Sequence, residues 1–261
     1  MDLQISGRSA LVCASTSGLG FAIADALAAD GVRVAVNGRT PRRCDEAAAR
    51  IRERGGDAVA IAVDLTREKG PAELVERARA ALGDLDILVL NGGGPPPSTA
   101  GAVDQAAITS AIDTLLRPHV ALVRELMPAM RARGWGRVLA VGSSGIETPL
   151  PDLALSNLGR AALAGYLKTL AREVAADGVT VNLLLPGRIN TERLTELDSA
   201  AARERGTSAE EVAASVIANI PAGRYGDPAE FGAAGAFLCS QRASFITGTA
   251  LRVDGGEVAS L

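Results

Sequence analysis

The stretch Ser9–Ala29, SALVCASTSGLGFAIADALAA, decides the fold. Ser9–Ala14 is an apolar run of strand length, Ala14–Gly20 is a glycine-bearing turn, and Gly20–Ala29 has the period of a helix. Strand, glycine turn and helix in that order form a phosphate-binding setting. Glycine lets the backbone approach the ligand, and the helix start offers unpaired N–H groups at the positive end of its dipole. Ser15, Thr16, Ser17, Gly18 and Leu19 are therefore candidates to hold a dinucleotide. A glycine turn by itself is weak support, since turns use glycine for their own geometry; its place between the first strand and the first helix gives it meaning.

Outward from this unit the alternation continues. Val32–Val36, Ala58–Val63, Asp86–Leu90, Arg137–Val141, Val179–Leu185 and Ala250–Val253 read as further strands. Between them, Pro41–Arg54, Pro71–Leu82, Ala106–Arg133, Leu153–Ala176 and Pro228–Cys239 read as helices. The expectation is an α/β fold: a Rossmann-type, doubly wound, seven-stranded parallel sheet flanked by helices, with ligand beyond the carboxyl ends of the strands. Residues 1–261 are expected to form one such domain, with a small substrate lid at about 188–220. Within that lid, Thr207-Ser208-Ala209-Glu210 has capping-box form and should start a helix that runs to about Asn219.

The strand ends supply further candidates. After the second strand, Asn37-Gly38-Arg39-Thr40 offers no acid to accept from a ribose 2′-hydroxyl. Arg39 instead presents a guanidinium fork suited to a 2′-phosphate, with Arg42 and Arg43 nearby. This favours NADP over NAD, the alternative being an ordinary solvated helix start. Asp64 and Leu65 close the third strand at a place suited to the adenine edge. Asn91, Gly92 and Gly93 open a loop that passes from three glycines into three prolines, where backbone could run close to a ribose.

Composition narrows the classes. With 261 residues, 48% of them hydrophobic, the chain can bury a sizeable core, and its formal charge of −3 includes no basic stripe for nucleic acid or an anionic membrane. The opening MDLQISGRSALVCAS reads as neither a secretory signal nor a transit peptide, and no apolar run nears the ~18 to 20 residues of a membrane span. Cys13, Cys44 and Cys239 are few and far apart, which suits a cytoplasmic protein with buried thiols. No metal site is expected, because His119 is the only histidine and no ligand cluster has the right spacing. His119 itself reads as a packing or interface residue of the Ala106–Arg133 helix.

Taken together, the glycine turn, Asp64, Asn91-Gly92-Gly93, Ser143, Pro186-Gly187 with Thr191, and the tail Ile246-Thr247-Gly248…Val253-Asp254-Gly255-Gly256 resemble the short-chain dehydrogenase/reductases from end to end. The likeness is strongest to their β-ketoacyl carrier-protein reductase-like branch. The resemblance implies a nicotinamide cofactor held by the residues above together with Pro186, Gly187, Ile189, Thr191 and Arg160. It also implies a small-molecule substrate and a homotetramer or homodimer. It further implies a glycine where this chain has Ala14, so the turn should either hold an ordinary φ there or be slightly remodelled.

The departures are sharper at the reacting end. The family's tetrad is Asn, Ser, Tyr and Lys, the tyrosine serving as proton donor. Here the asparagine position falls at Leu115, or Thr114 if the register slips by one; the serine is Ser143, the tyrosine becomes Ser156 and the lysine becomes Arg160. Ser156 and Arg160, four apart on a helix, share a face. Serine is a far weaker acid than phenol, and arginine is a poor proton shuttle. Glu147 and Asp152 are candidate acids in the loop between, the alternative being solvated carboxylates. Tyr166 is too far along the helix, and Tyr225 lies in a loop with no evident position. Three classes follow: an NADP-dependent carbonyl or alcohol oxidoreductase with an unconventional proton donor, an NADP-binding protein without turnover, and non-redox chemistry on the same scaffold.

Overall fold

The computed structural model describes residues 1–260. Seven strands, β1 (Ser9–Val12), β2 (Arg33–Gly38), β3 (Asp57–Ala62), β4 (Ile87–Leu90), β5 (Gly136–Val141), β6 (Val179–Pro186) and β7 (Ala250–Val253), pair in the order β3-β2-β1-β4-β5-β6-β7. All pairings are parallel. This is the doubly wound sheet read from the sequence. Its topological switch falls between β1 and β4, and chains leaving those two strands diverge there to open a crevice.

Side-chain alternation builds two cores. Leu11 and Cys13 point to one face with Leu88 and Leu90, where α3 (Gly70–Leu82), α5 (Arg117–Ala132) and α6 (Ala154–Val174) cover them. Ala10 and Val12 point to the other face with Ile87 and Val89, under α1 (Gly18–Ala29), α2 (Pro41–Glu53) and α9 (Pro228–Leu238). Strands buried on both faces read as continuous apolar runs, which is why short segments such as ILVL were legible. Gly232 lets α9 lie directly on α1, because a Cβ there would strike the Ala22 carbonyl.

Three expectations need correction. The Ala106–Arg133 helix is two helices, α4 (Gln105–Leu115) and α5, broken where Leu116 takes φ −118° and ψ −62° ahead of Pro118. A proline there cannot donate back to Thr114, so the break costs little. The polar stretch after β6 contains a helix, α7 (Glu192–Arg205), capped by the Thr191 hydroxyl at its start and by left-handed Gly206 at its end. The following helix, α8 (Ala209–Ile217), does begin with a capping box, but the pair is Ser208 and Glu211, one residue on from Thr207 and Glu210. No helix among the described residues is long and apolar enough to cross a membrane.

Candidate active site

The glycine turn forms the floor of the crevice. Ser15 is fully buried and its hydroxyl donates to the Val12 carbonyl (2.7 Å) while accepting the Asn37 N–H (3.0 Å). It shapes the turn and has no hydroxyl proton left for a ligand. Ser17 precedes α1 in extended conformation and makes no side-chain cap, so the first N–H groups of α1, at Gly18, Leu19 and Gly20, have no side-chain acceptor there. Gly18 takes φ +58° and faces Thr191. A Cβ at Gly20 would come within 2.5 Å of both the Ala14 carbonyl and Asn91 Nδ2. Glycine is thus required where two strands' loops converge.

Ala14 departs from both alternatives expected of it: the turn keeps a positive φ, +45°, with an alanine in place. The strain is held by neighbours, since Ala14 N–H donates to Asn37 Oδ1 (3.3 Å) and its carbonyl accepts from Asn91 Nδ2 (3.0 Å). Asn91 therefore ties the β4 loop to the glycine turn across the switch point. Gly93 and Gly94 are exposed, with nothing within 4 Å of where a Cβ would stand.

At the end of β2, the three arginines are not equivalent. Arg42 pairs with Glu46 (3.6 Å) and Arg43 pairs with Glu192 in the first turn of α7 (3.7 Å). Arg39 has no ion-pair partner among the described residues. Asp64 stands close enough to feel Arg39, but its Oδ1 already accepts from the Thr66 N–H (2.9 Å) and hydroxyl (2.8 Å). Those Thr66 bonds, with Arg39 and Arg67 adding, hold the carboxyl below the usual range. Next to it, Leu65 is partly buried against the core. Gly38 leaves room for the Thr16 methyl, 2.6 Å from where its Cβ would be.

The reacting end is assembled by β5 and α6. Ser143 follows β5 in extended backbone, and its Oγ accepts the Gly145 N–H (3.1 Å), which leaves the hydroxyl proton free to donate. Arg160 reaches back to the end of β5. Its Nη1 donates to the Val141 carbonyl (2.9 Å) and its Nε to Ser156 Oγ (3.3 Å). Ser156 and Arg160 therefore meet beside Val141, two residues before Ser143 in the chain. Burial pushes the Arg160 pKa down from its ordinary value. Leu115, one of the two residues with Thr114 read at the family's asparagine position, ends α4 and packs on Gly159.

The candidate acids disperse. Glu147 pairs with Arg252 of β7, and exposed Asp152 contributes its backbone carbonyl to Ser98. Tyr166 packs against the core, and Tyr225 donates its hydroxyl to the buried Asp198 of α7 (2.9 Å). Burial and that carboxylate push the Tyr225 phenol up to about 12. Neither phenol serves the reacting end.

His119 packs inside the fold, one of the two roles read for it from the sequence, but its hydrogen-bond partners could not be read there. It is buried, and its Nδ1 meets the Leu115 carbonyl (2.8 Å) freed by the helix break, while Nε2 lies 3.4 Å from the Asn91 carbonyl. Burial lowers its pKa, Arg160 adding in the same direction, so the ring is neutral and donates to one carbonyl at a time. The only signal in the sequence was Pro118, which marks the break. Asn157 was missed; its amide donates to the Leu150 carbonyl (2.9 Å) and fixes the loop between Ser143 and α6.

On the far wall, Gly187 abuts Asp254, and its N–H donates to the Val253 carbonyl at the end of β7, the strand paired with β6 (3.0 Å). Ile189 pairs with Gly226 in an isolated bridge and is buried. Thr191 faces Gly18 across the crevice. A crevice with an uncapped helix start, glycines that a Cβ would block and an unpaired arginine at β2 fits a dinucleotide phosphate.

The enoyl-(acyl carrier protein) reductase family model matches residues 13–257. The bovine dehydrogenase/reductase SDR family member 4 is 33% identical over 258 residues, spanning 98% of this chain and 89% of that protein. The chain belongs to the short-chain dehydrogenase/reductase family. Within that family, the 3-oxoacyl-[acyl-carrier-protein] reductase FabG of Haemophilus influenzae is 31% identical over 252 residues, 97% of this chain and 98% of its own length. Among solved structures, the L-sorbose reductase of Gluconobacter frateurii complexed with NADPH and L-sorbose superposes with a TM-score of 0.94 at 33% identity, covering 100% of both chains. By family this short-chain dehydrogenase/reductase is an oxidoreductase, with β-ketoacyl reductase-like kinship.

Proposed function

We propose that the chain is an NADP(H)-dependent oxidoreductase of a carbonyl or alcohol substrate, working without the family's phenol. The observation that carries this reading is the anchoring of Arg160 to Ser156 and to the Val141 carbonyl at the end of β5, two residues before Ser143. Ser15 to Leu19, Asp64, Leu65, Asn91, Gly92, Gly93, Pro186, Gly187, Ile189 and Thr191 line the cofactor's place, and Arg39 takes the 2′-phosphate. The bound reduced nicotinamide supplies a hydride. Ser143 donates its free hydroxyl proton as a hydrogen bond to the substrate oxygen. Arg160 stabilises negative charge as it grows there, an electrostatic role that needs no proton to leave the guanidinium. Ser156 is short of a tyrosine by a ring, and water in that space delivers the proton.

Loss of a positioned acid costs roughly 10²- to 10⁴-fold, which slows carbonyl reduction without removing the alignment and electrostatic contributions. The segment 188–220, with α7 and α8, acts as the substrate lid, and its Arg43–Glu192 pair spans from α2 to α7. Exposed Leu158 on α6 and Phe245 ahead of β7 support assembly as a homotetramer or homodimer. A protein that binds NADP without turnover is the second reading, favoured by one observation: both tyrosines are engaged elsewhere.

Label transfer decides between the two. With NADPH deuterated at the transferable position, the protein should move deuterium to members of a ketone panel, read by mass spectrometry. Ser143→Ala should lower that rate by roughly 10²- to 10³-fold with NADPH affinity unchanged. NADPH binding with no label in any product would favour the second reading.

A further inference from the structure

Charge at the carboxyl ends of the strands is mostly neutralised in pairs. Arg188 meets Glu257 (3.7 Å), Arg224 meets Glu230 (2.7 Å), Arg252 meets Glu147 and Arg43 meets Glu192 (3.7 Å). Arg160 is the exception at the reacting end. Among the described residues it has no carboxylate partner, and its only acceptors are Ser156 Oγ and the Val141 carbonyl. Those bonds use Nε and Nη1, which locks the planar fork and leaves Nη2 without a protein acceptor among the described residues. Nη2 is not among the sealed, unsatisfied polar atoms of the interior, which are Ser98 Oγ and Thr180 Oγ1, so it keeps some access to solvent beside the end of β5.

A guanidinium removed from water without an anion is costly, and breaking a buried pair is costly for the same reason. A site that keeps such a cation oriented and unpaired is preorganised for an anion from outside the chain. Ser143 lies two residues beyond Val141, at most ~7 Å of extended chain from the carbonyl that holds Arg160. The hydroxyl donor and the free guanidinium nitrogen can thus engage one small molecule.

We propose that the substrate is a small oxo acid, with Arg160 Nη2 binding its carboxylate while Ser143 addresses the oxo group. The inference rests on the reductase reading. In the reduction, the oxo carbon gains a hydride from NADPH and its oxygen gains a proton from water, giving a hydroxy acid and NADP⁺; the carboxylate is unchanged.

Oxamate, an unreactive oxo-acid isostere, and its neutral analogue oxamide test this by calorimetric titration into the protein saturated with NADP⁺. Oxamate should bind at least about tenfold more tightly than oxamide. Arg160→Met should erase that preference while NADPH affinity, read separately by nicotinamide fluorescence, changes less than about threefold. Arg160→Lys, which keeps the charge but loses the fork, should retain part of the preference. Equal binding of the two probes, or no binding of either, overturns the proposal. So does a methionine variant that loses NADPH while keeping oxamate, because Arg160 would then serve the cofactor. Failure of the unaltered protein to bind NADPH at all would instead fell the reductase reading beneath it.

Discussion

At Arg160 a guanidinium stands where the resemblance would place the family's ammonium, and the difference is one of shape as well as acidity. A lysine could reach the ribose and tune a neighbouring phenol; Arg160 has no phenol to tune, and its fork is fixed by Ser156 and Val141. Both substitutions were legible as letters thirteen and seventeen residues after Ser143. Their convergence was legible only as helical spacing. His119 was legible as a packing residue but not in its partners, because they depend on a carbonyl freed by a helix break. Its folded pKa lies below the ~6.5 of an unfolded histidine, so as pH falls the unfolded chain binds a proton first and stability is lost from about pH 6.5 downward. Thermal unfolding followed at about pH 7.5 and 5.5 should show this loss reduced in His119→Gln. An equal loss in both proteins would remove His119 from the account.

Among the elements, strands buried on both faces and helices begun by proline or glycine were readable from local chemistry. The glycine turn was readable in place but not in conformation. Ala14 holds φ +45° because Asn37 and Asn91 clamp its two backbone polar groups, and those partners come from β2 and the β4 loop. A left-handed alanine costs ~1 to 2 kcal/mol, offset in part by the greater unfolded-state entropy of glycine. Ala14→Gly should therefore stabilise the protein by about 0.5 to 1 kcal/mol in urea unfolding. A destabilised variant would mean that the methyl contributes packing that outweighs the strain. Helix α7 escaped the sequence because its polar and alanine-rich face packs little apolar area, with only Leu194, Asp198 and Ala202 buried. Its tie to Tyr225 joins residues 27 apart, beyond any local pattern.

Over the whole molecule, two cores grip one sheet from opposite sides, and the crevice at the switch point needs residues from both halves of the order. The sole tryptophan, Trp135, is held between Arg8 and Arg137 (4.0 and 4.3 Å from ring centroid to guanidinium) before β5, at the end away from the crevice. Its emission reports unfolding and leaves the nicotinamide signal clear. On the proposed reading, Arg39 at the end of β2 is the group on which the choice of dinucleotide turns, since Arg42 and Arg43 are already paired. The decisive measurement is a fluorescence titration of the purified protein with NADPH and NADH, repeated with Arg39→Asp. NADPH should bind at least about tenfold more tightly than NADH, and the substitution should erase that preference. If neither nucleotide binds, the crevice is not a nicotinamide site and the oxidoreductase reading fails.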